Sequence, residues 1–306
     1  MMNKNNNEIV LAGLDGSNPL AFLAALGTMR TLTNALPAIA VKMAWTQHGG
    51  HWSPVISLNR SFDEKELTQL LFDHLEKDIQ KHPVAFMESL KGAAPDHVYQ
   101  LFRHRSDHAE LNNKNELDWL SAMSADLAPE ATSQLQTARR DYFFGNMKNV
   151  MHLTEFDHLF RTLFQTWDYG DSLENQSLHL EPSEDRRHAH QWYKPSGDPN
   201  RKKQGGMLGA NCLAIEAFTL FQSIAVGDKL STRGFSGNRA DNTWWTWPLW
   251  SCPLDLDTIG SLLGLSALQT INPLTVELRA RGIEMVFRSQ RILVGKTPNL
   301  TPAESI

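Results

Sequence analysis

The stretch Pro19–Ala35, PLAFLAALGTMRTLTNA, constrains the fold more than any other part of the chain. Ala and Leu dominate it, and both are strong helix formers. Its apolar residues fall on most faces rather than in one stripe, so the helix must be enclosed by other elements instead of lying on a surface. The residues ahead of it predict its start. Asp15-Gly16 and Asn18-Pro19 are turn signals, Ser17 or Asn18 supplies a capping side chain, and Pro19 suits the first helical position. Enclosing such a helix takes a long chain, and 306 residues with 41% hydrophobic content are enough to bury a sizeable core. This composition excludes fibrous, collagenous and wholly disordered chains. The length fits two domains or one continuous body.

The other patterns predict short elements of both kinds. An apolar run at 9–11 precedes the helix. Residues 41–45 alternate, and 52–58 follow His48-Gly49-Gly50-His51, which predicts a hairpin with a glycine-containing turn. Leu67, Leu70, Leu71, His74, Leu75 and Ile79 recur near helical spacing, predicting an amphipathic helix over 63–81. Mostly helical segments continue over 84–135, with breaks at Pro95 and Pro129. Further helices are expected at 147–166, 207–225 and 256–265, and a strand at 283–287 reaching toward 294, before a loose tail. The expected fold class is α+β, with mixed helices and short antiparallel sheets. Its two packed lobes would be an N-terminal α+β lobe at 1–135 and a C-terminal α+β lobe at 136–306. The second carries a polar stretch, 168–206, that is long for a loop inside a compact domain. No internal repeat is present.

Several function classes drop out. Cys212 and Cys252 are too few for a disulfide framework or a cysteine-rich zinc site. The start MMNKNNNEIV lacks the apolar centre of a secretory signal, and no run of 18 apolar residues is present, so no membrane contact and a cytoplasmic location are expected. There is no Gly-x-Ser-x-Gly elbow and no Walker-type phosphate loop. Cys212 falls in an apolar helix, where a buried, inert thiol is expected. The chain therefore reads as non-enzymatic, with no cofactor and no resident metal. Its formal charge of −5 means that any nucleic-acid contact has to come from a local patch.

One patch stands out. Residues 186–203 hold Arg186, Arg187, Lys194, Arg201, Lys202 and Lys203 against a single acid, Asp198, a local charge of about +5. Arg and Lys satisfy phosphate oxygens, and Trp192 and Tyr193 between them offer faces on which bases stack; His190 lies within the same run. Gly205 and Gly206 precede the helix expected at 207, whose backbone N–H groups could meet a phosphate. The plainer alternative is a solvated loop whose charges pair with nearby acids. Thr232-Arg233-Gly234-Phe235-Ser236-Gly237-Asn238-Arg239 adds Arg233 and Arg239 on a flexible, glycine-bearing segment as further backbone-contacting candidates. Arg279, Arg281, Arg288, Arg291 and Lys296 form a second basic run, readable as an edge facing a polyanion or as an ordinary polar sheet face.

Two rival readings come from other residues. His188 and His190 beside Asp185, with His179 or Asp198 as further ligands, would suit a metal-dependent nuclease or hydrolase. Trp244, Trp245, Trp247 and Trp250 lie within seven residues, and are read first as core or inter-domain packing. Exposed, they would serve base stacking or a protein-only adaptor docking on a partner.

Taken together, the run 14–27 (LDGSNPLAFLAALG), the hairpin with Trp45 and Trp52, the run 183–192 (SEDRRHAHQW), the run 205–211 (GGMLGAN) and Trp-Pro-Leu-Trp at 247–250 resemble a group of proteins from type I-G (formerly I-U) CRISPR systems. They are similar both to the Cascade large subunit and to extensions attached to the helicase-nuclease. The resemblance implies a role in RNA-guided antiviral defence, contacting target DNA or the R-loop without cutting, with guide RNA and the other effector subunits as partners. Base pairing would read the sequence while the protein supplied backbone and groove contacts. The chain is shorter than such a large subunit, and no family catalytic residue transfers to it.

Overall fold

Asn18 opens α1 (Pro19–Ala35): its side chain accepts hydrogen bonds from the backbone N–H groups of Leu20 and Ala21, with Pro19 next in the helix. Every residue from Pro19 to Leu32 is buried, the enclosure that its all-round apolar character demands. This is a computed structural model, and it describes residues 7–89, 97, 100, 114–123, 133–137, 140–171, 178–180, 205–227, 229–239, 242–270, 272–273, 275–294 and 297–306.

The α+β expectation holds, with helices and short antiparallel sheets in alternation. Strands β1 (Glu8–Val10), β2 (Lys42–His48) and β3 (His51–Ser57) form one sheet in the order β1-β3-β2. The β2–β3 hairpin turns at Gly49 and Gly50, both at positive φ, as the sequence predicts. Helix α2 (Glu64–His74) starts with a capping box between Asp63 and Glu66. It stops seven residues short of the expected end at 81. Beyond it Glu76 accepts from the Asp78 N–H and Asp78 from the Gln80 N–H, and these local bonds displace the helical ladder.

Further helices are α3 (Phe86–Ser89), α4 (Lys114–Met123), α5 (Arg140–Leu153), α6 (Phe156–Phe164) and α7 (Leu208–Ala217). The helix expected at 147–166 is thus two: the Thr154 hydroxyl bonds back to the Val150 carbonyl, and Glu155 caps a new helix through His158. The helix expected at 207–225 ends at Ala217, passes through a 3-10 turn at Phe218–Leu220, and becomes β4 (Ser223–Val226). Ile224 and Val226 there pair with β5 (Lys229–Thr232) in a hairpin turning at Gly227, so β-branched residues and a positive-φ glycine outweigh the apolar run.

The last sheet contains β6 (Phe235–Arg239), β7 (Asn242–Trp250), β8 (Ile283–Val294), β9 (Thr297–Leu300) and β10 (Glu304–Ser305). Helices α8 (Leu256–Leu263) and α9 (Thr275–Ala280) lie between β7 and β8 in sequence. The tail is not loose: β9 and β10 both pair with β8.

Helix α7 packs along α1, and the approach is close enough that a Cβ on Gly27 would sit 1.7 Å from the Leu213 carbonyl oxygen. Trp245, Trp247 and Trp250 are buried among Phe22, Trp45 and Phe287. Two of these indoles tie the sheet to the N-terminal residues: Trp247 Nε1–H donates to the Gly16 carbonyl at 2.9 Å and Trp250 Nε1–H to that of Met43 at 2.8 Å. One hydrophobic cluster runs from Leu11 to Leu300, so residues on both sides of position 135 share it.

Candidate nucleic-acid interface

The basic-aromatic loop is rooted at a two-way backbone bridge. Asp171 N–H donates to the Gly206 carbonyl at 3.1 Å and Gly206 N–H to that of Asp171 at 2.7 Å. Between these ends, Leu178 and Leu180 are buried, the Leu178 N–H donates to Asn211 Oδ1 at 2.9 Å, and the Leu178 carbonyl accepts from the Thr137 hydroxyl. Gly205 is required where it stands: a Cβ there would lie 1.8 Å from the Tyr169 carbonyl oxygen.

Asp171 also changes the expectation for the helix that follows. Its Oδ2 accepts from the Leu208 N–H at 2.7 Å, so the start of α7 is held by an internal carboxylate where a phosphate was expected. Asp171 belongs to a cluster on Arg161, whose guanidinium also reaches Asp157 at 3.0 Å and Asp168 at 3.1 Å. The Asp171 hydrogen bond leads in raising the Arg161 pKa above its ordinary value. Asp168 is held below the usual carboxylate range, first by the Gly170 N–H and also by Arg161. His158 accepts the Glu155 N–H at Nδ1, so its proton sits on Nε2, 3.7 Å from Asp171. Tyr169, between Asp168 and Gly170, has φ of +52°, a left-handed conformation uncommon outside glycine.

Arg186, Arg187, His190, Trp192, Tyr193, Lys194, Arg201, Lys202 and Lys203 lie outside the described residues, as do Asp185, His188 and Asp198. Arg239 closes β6 opposite Asn242. Arg233 is half-buried: one guanidinium nitrogen donates to the Leu220 carbonyl at 3.3 Å and another to Gln222 at 2.6 Å, and burial lowers its pKa. It is a brace between β5 and the α7 exit, in contrast to the flexible contact expected. Arg288 bonds Thr246 and the carbonyls of Leu268 and Thr270, and Arg291 reaches the Gln136 carbonyl; burial lowers the pKa of both. Their part of the second basic run therefore belongs to the sheet's own packing.

Burial pushes the Cys212 thiol up to about 12, in keeping with an inert cysteine. Among the described residues, no group of three or more His, Cys, Asp or Glu could hold a metal ion, and no helix is long and apolar enough to cross a membrane.

Two features escaped the sequence reading. One is a buried cluster in which Glu216 of α7 pairs with Arg30 of α1 and lies 3.4 Å from His82 Nε2, while Arg30 also bonds Asn115. Burial works against the Glu216 charge, but the His82 hydrogen bond and the Arg30 charge prevail and hold its pKa below the usual value. The signal was available: Arg30 and Glu216 are the only charged residues in two otherwise uncharged helices. The other is a cavity of about 320 Å³ at the start of α1, lined by Asp15, Asn18, His51, Thr166, Trp167 and Tyr169 among others. Its two walls are far apart in sequence, which leaves no local pattern to find.

The described residues form an α+β protein in which Asp171 and Gly206, on either side of the basic run in sequence, are bridged backbone to backbone. No family model matches the chain, and neither a curated protein nor a solved structure matches it.

Proposed function

We propose that the chain is a non-catalytic nucleic-acid-binding subunit of a type I CRISPR interference (Cascade) complex, contacting target DNA or the R-loop in antiviral defence. The sequence resemblance suggests the system. The observation that supports the site is the Asp171–Gly206 bridge, which brings together the ends of the stretch holding the chain's densest positive charge. On this reading Arg186, Arg187, Lys194, Arg201, Lys202 and Lys203 meet phosphates, while Trp192 and Tyr193 stack on bases. The adaptor alternative is less favoured, because three of the four tryptophans it needs are in the core.

The test is binding of the purified chain to labelled duplex DNA, single strands and RNA across a salt series. Replacing Arg201, Lys202 and Lys203 by Ala is expected to weaken binding and flatten the slope of log affinity against log salt by about 2–3, three phosphate contacts at about 0.7–0.9 each. An unchanged slope removes the loop from the interface, and no binding at low salt rejects the reading.

A further inference from the structure

The turn between β2 and β3 reads His48-Gly49-Gly50-His51, and its two histidines are cross-strand partners. Residues directly opposite in an antiparallel pair project to the same face, with Cβ atoms about 4.5–5.5 Å apart. The structure orients the second imidazole. Its Nε2 lies 3.3 Å from the Ala12 carbonyl oxygen, which can only accept, so Nε2 carries the proton and Nδ1 of the neutral ring keeps its lone pair. The other edge of that ring faces the turn: a Cβ built on Gly49 would lie 3.6 Å from His51 Cε1 and 3.8 Å from His51 Nδ1. The lone pair is therefore set beside the residue that follows His48. His48 itself is exposed, and its ring bonds to no described residue. The tip is open as well, since a Cβ on Gly50 would meet nothing within 4 Å.

An imidazole that gives one N–H to a backbone carbonyl and leaves its other nitrogen bare is arranged as metal-ligating histidines are: the carbonyl fixes the tautomer and holds the ring. A second imidazole on the same face, across a two-residue turn, makes the pair a chelate. Gly49 and Gly50, at φ of +60° and +91°, allow that tight turn and so fix the spacing of the two ligands. Two imidazoles with no thiolate select copper, nickel or zinc, whereas calcium and magnesium need oxygen ligands. Within the first group a given nitrogen site holds Cu²⁺ most tightly. We propose that His48 and His51 bind a divalent copper ion at the hairpin tip, through His51 Nδ1 and one ring nitrogen of His48, with water in the remaining positions. Two side-chain ligands leave the ion open on one side, unlike a closed structural site. The proposal does not depend on the nucleic-acid reading, because both histidines lie outside the basic run.

The experiment titrates the full chain with Cu²⁺, read by calorimetry for affinity and by NMR for location. Saturable binding of one ion at the tightest site is expected. At substoichiometric copper, paramagnetic broadening should erase the amide signals of Gly49 and Gly50 before others. His48→Ala removes one of the two chelating ligands at an exposed position, and is expected to lower the affinity about a hundredfold or more while leaving the thermal melt unchanged. His51→Ala should do the same to affinity. His51→Gln keeps a donor for the Ala12 carbonyl, and its loss of copper separates ligation from any disturbance of the turn. The double variant His188→Ala, His190→Ala should bind copper like the parent chain, which distinguishes the hairpin from the His-x-His in the basic run. Absence of saturable binding, broadening that spares the hairpin, or unchanged affinity in His48→Ala overturns the proposal. Loss of the tightest site in the double variant overturns it as well and moves the metal to that run.

Discussion

Two cavities of similar volume flank α1, about 320 Å³ at its start and about 360 Å³ toward its end, and they treat charge in opposite ways. The second is lined by cations and anions together: Arg30, Lys42 and Lys114 with Asp118, Asp255 and Asp257. There Arg30 is engaged by Glu216 and Asn115, Asp255 caps α8 through the Thr258 N–H, and Lys114 reaches Asp257 at 3.4 Å. The described lining of the first holds Asp15 and no Lys or Arg. Charges that neutralise one another belong to the frame, and removing one exposes its partner. Replacing Asp15 by Asn keeps an acceptor for the Ser17 N–H and leaves no described charge buried without its counter-ion.

The largest break in this comparison is expected from Glu216→Gln. It leaves Arg30 buried with no carboxylate, and the loss should be about 3–5 kcal/mol in denaturant unfolding. The pH dependence has a defined sign. Glu216 is held below the usual carboxylate pKa, so its contribution is present above the unfolded value of about 4.3 and is lost as pH falls through the lower folded value. Parent stability should decline across that window, and the variant should lack this component.

Asp118→Asn should act the other way and more weakly. Burial raises the Asp118 pKa against the pull of Lys114 and Arg30, so its charge costs stability at neutral pH. Discounted for its partial exposure, the gain is less than about 1 kcal/mol. Thermal melts should show it at pH 7 and lose it below about pH 4, where the group is protonated in both states. The smallest effect is expected at the other cavity: Asp15→Asn should change stability by less than about 0.5 kcal/mol, measured by the same melts. A loss near that of Glu216→Gln would make Asp15 part of the frame and remove the contrast.

Local signals in the sequence carried the fold well. The Asn18 cap, the glycine turn at 49–50 and the core role of the tryptophans in β7 all follow from short patterns, because capping, turn geometry and indole burial are decided within a few residues. Helix lengths were less legible. The limits of α2, α5 and α7 depend on side chains such as Glu76, Asp78 and Thr154 bonding back to the chain, and on Ile224 and Val226 finding a strand partner. Composition singles out the basic run only as a candidate, and it could not foresee that Asp171 closes the α7 start or that Arg233 braces β5, since both partners come from elsewhere in the chain. The Asp15–Trp167–Tyr169 cavity joins positions about 150 residues apart, beyond any spacing rule.

The bridge between Asp171 and Gly206 has a consequence for how the protein can be altered. A segment that leaves and re-enters a frame at adjacent backbone positions already has its loop closed, and the entropic penalty for changing its length grows only slowly. Sequence added or removed between these anchors is therefore expected to leave the helices and sheets around α1 in register, which thermal melts of length variants check. Loop exchange at these two seams is a direct route to chimeras with a different charge or ligand preference on the same scaffold.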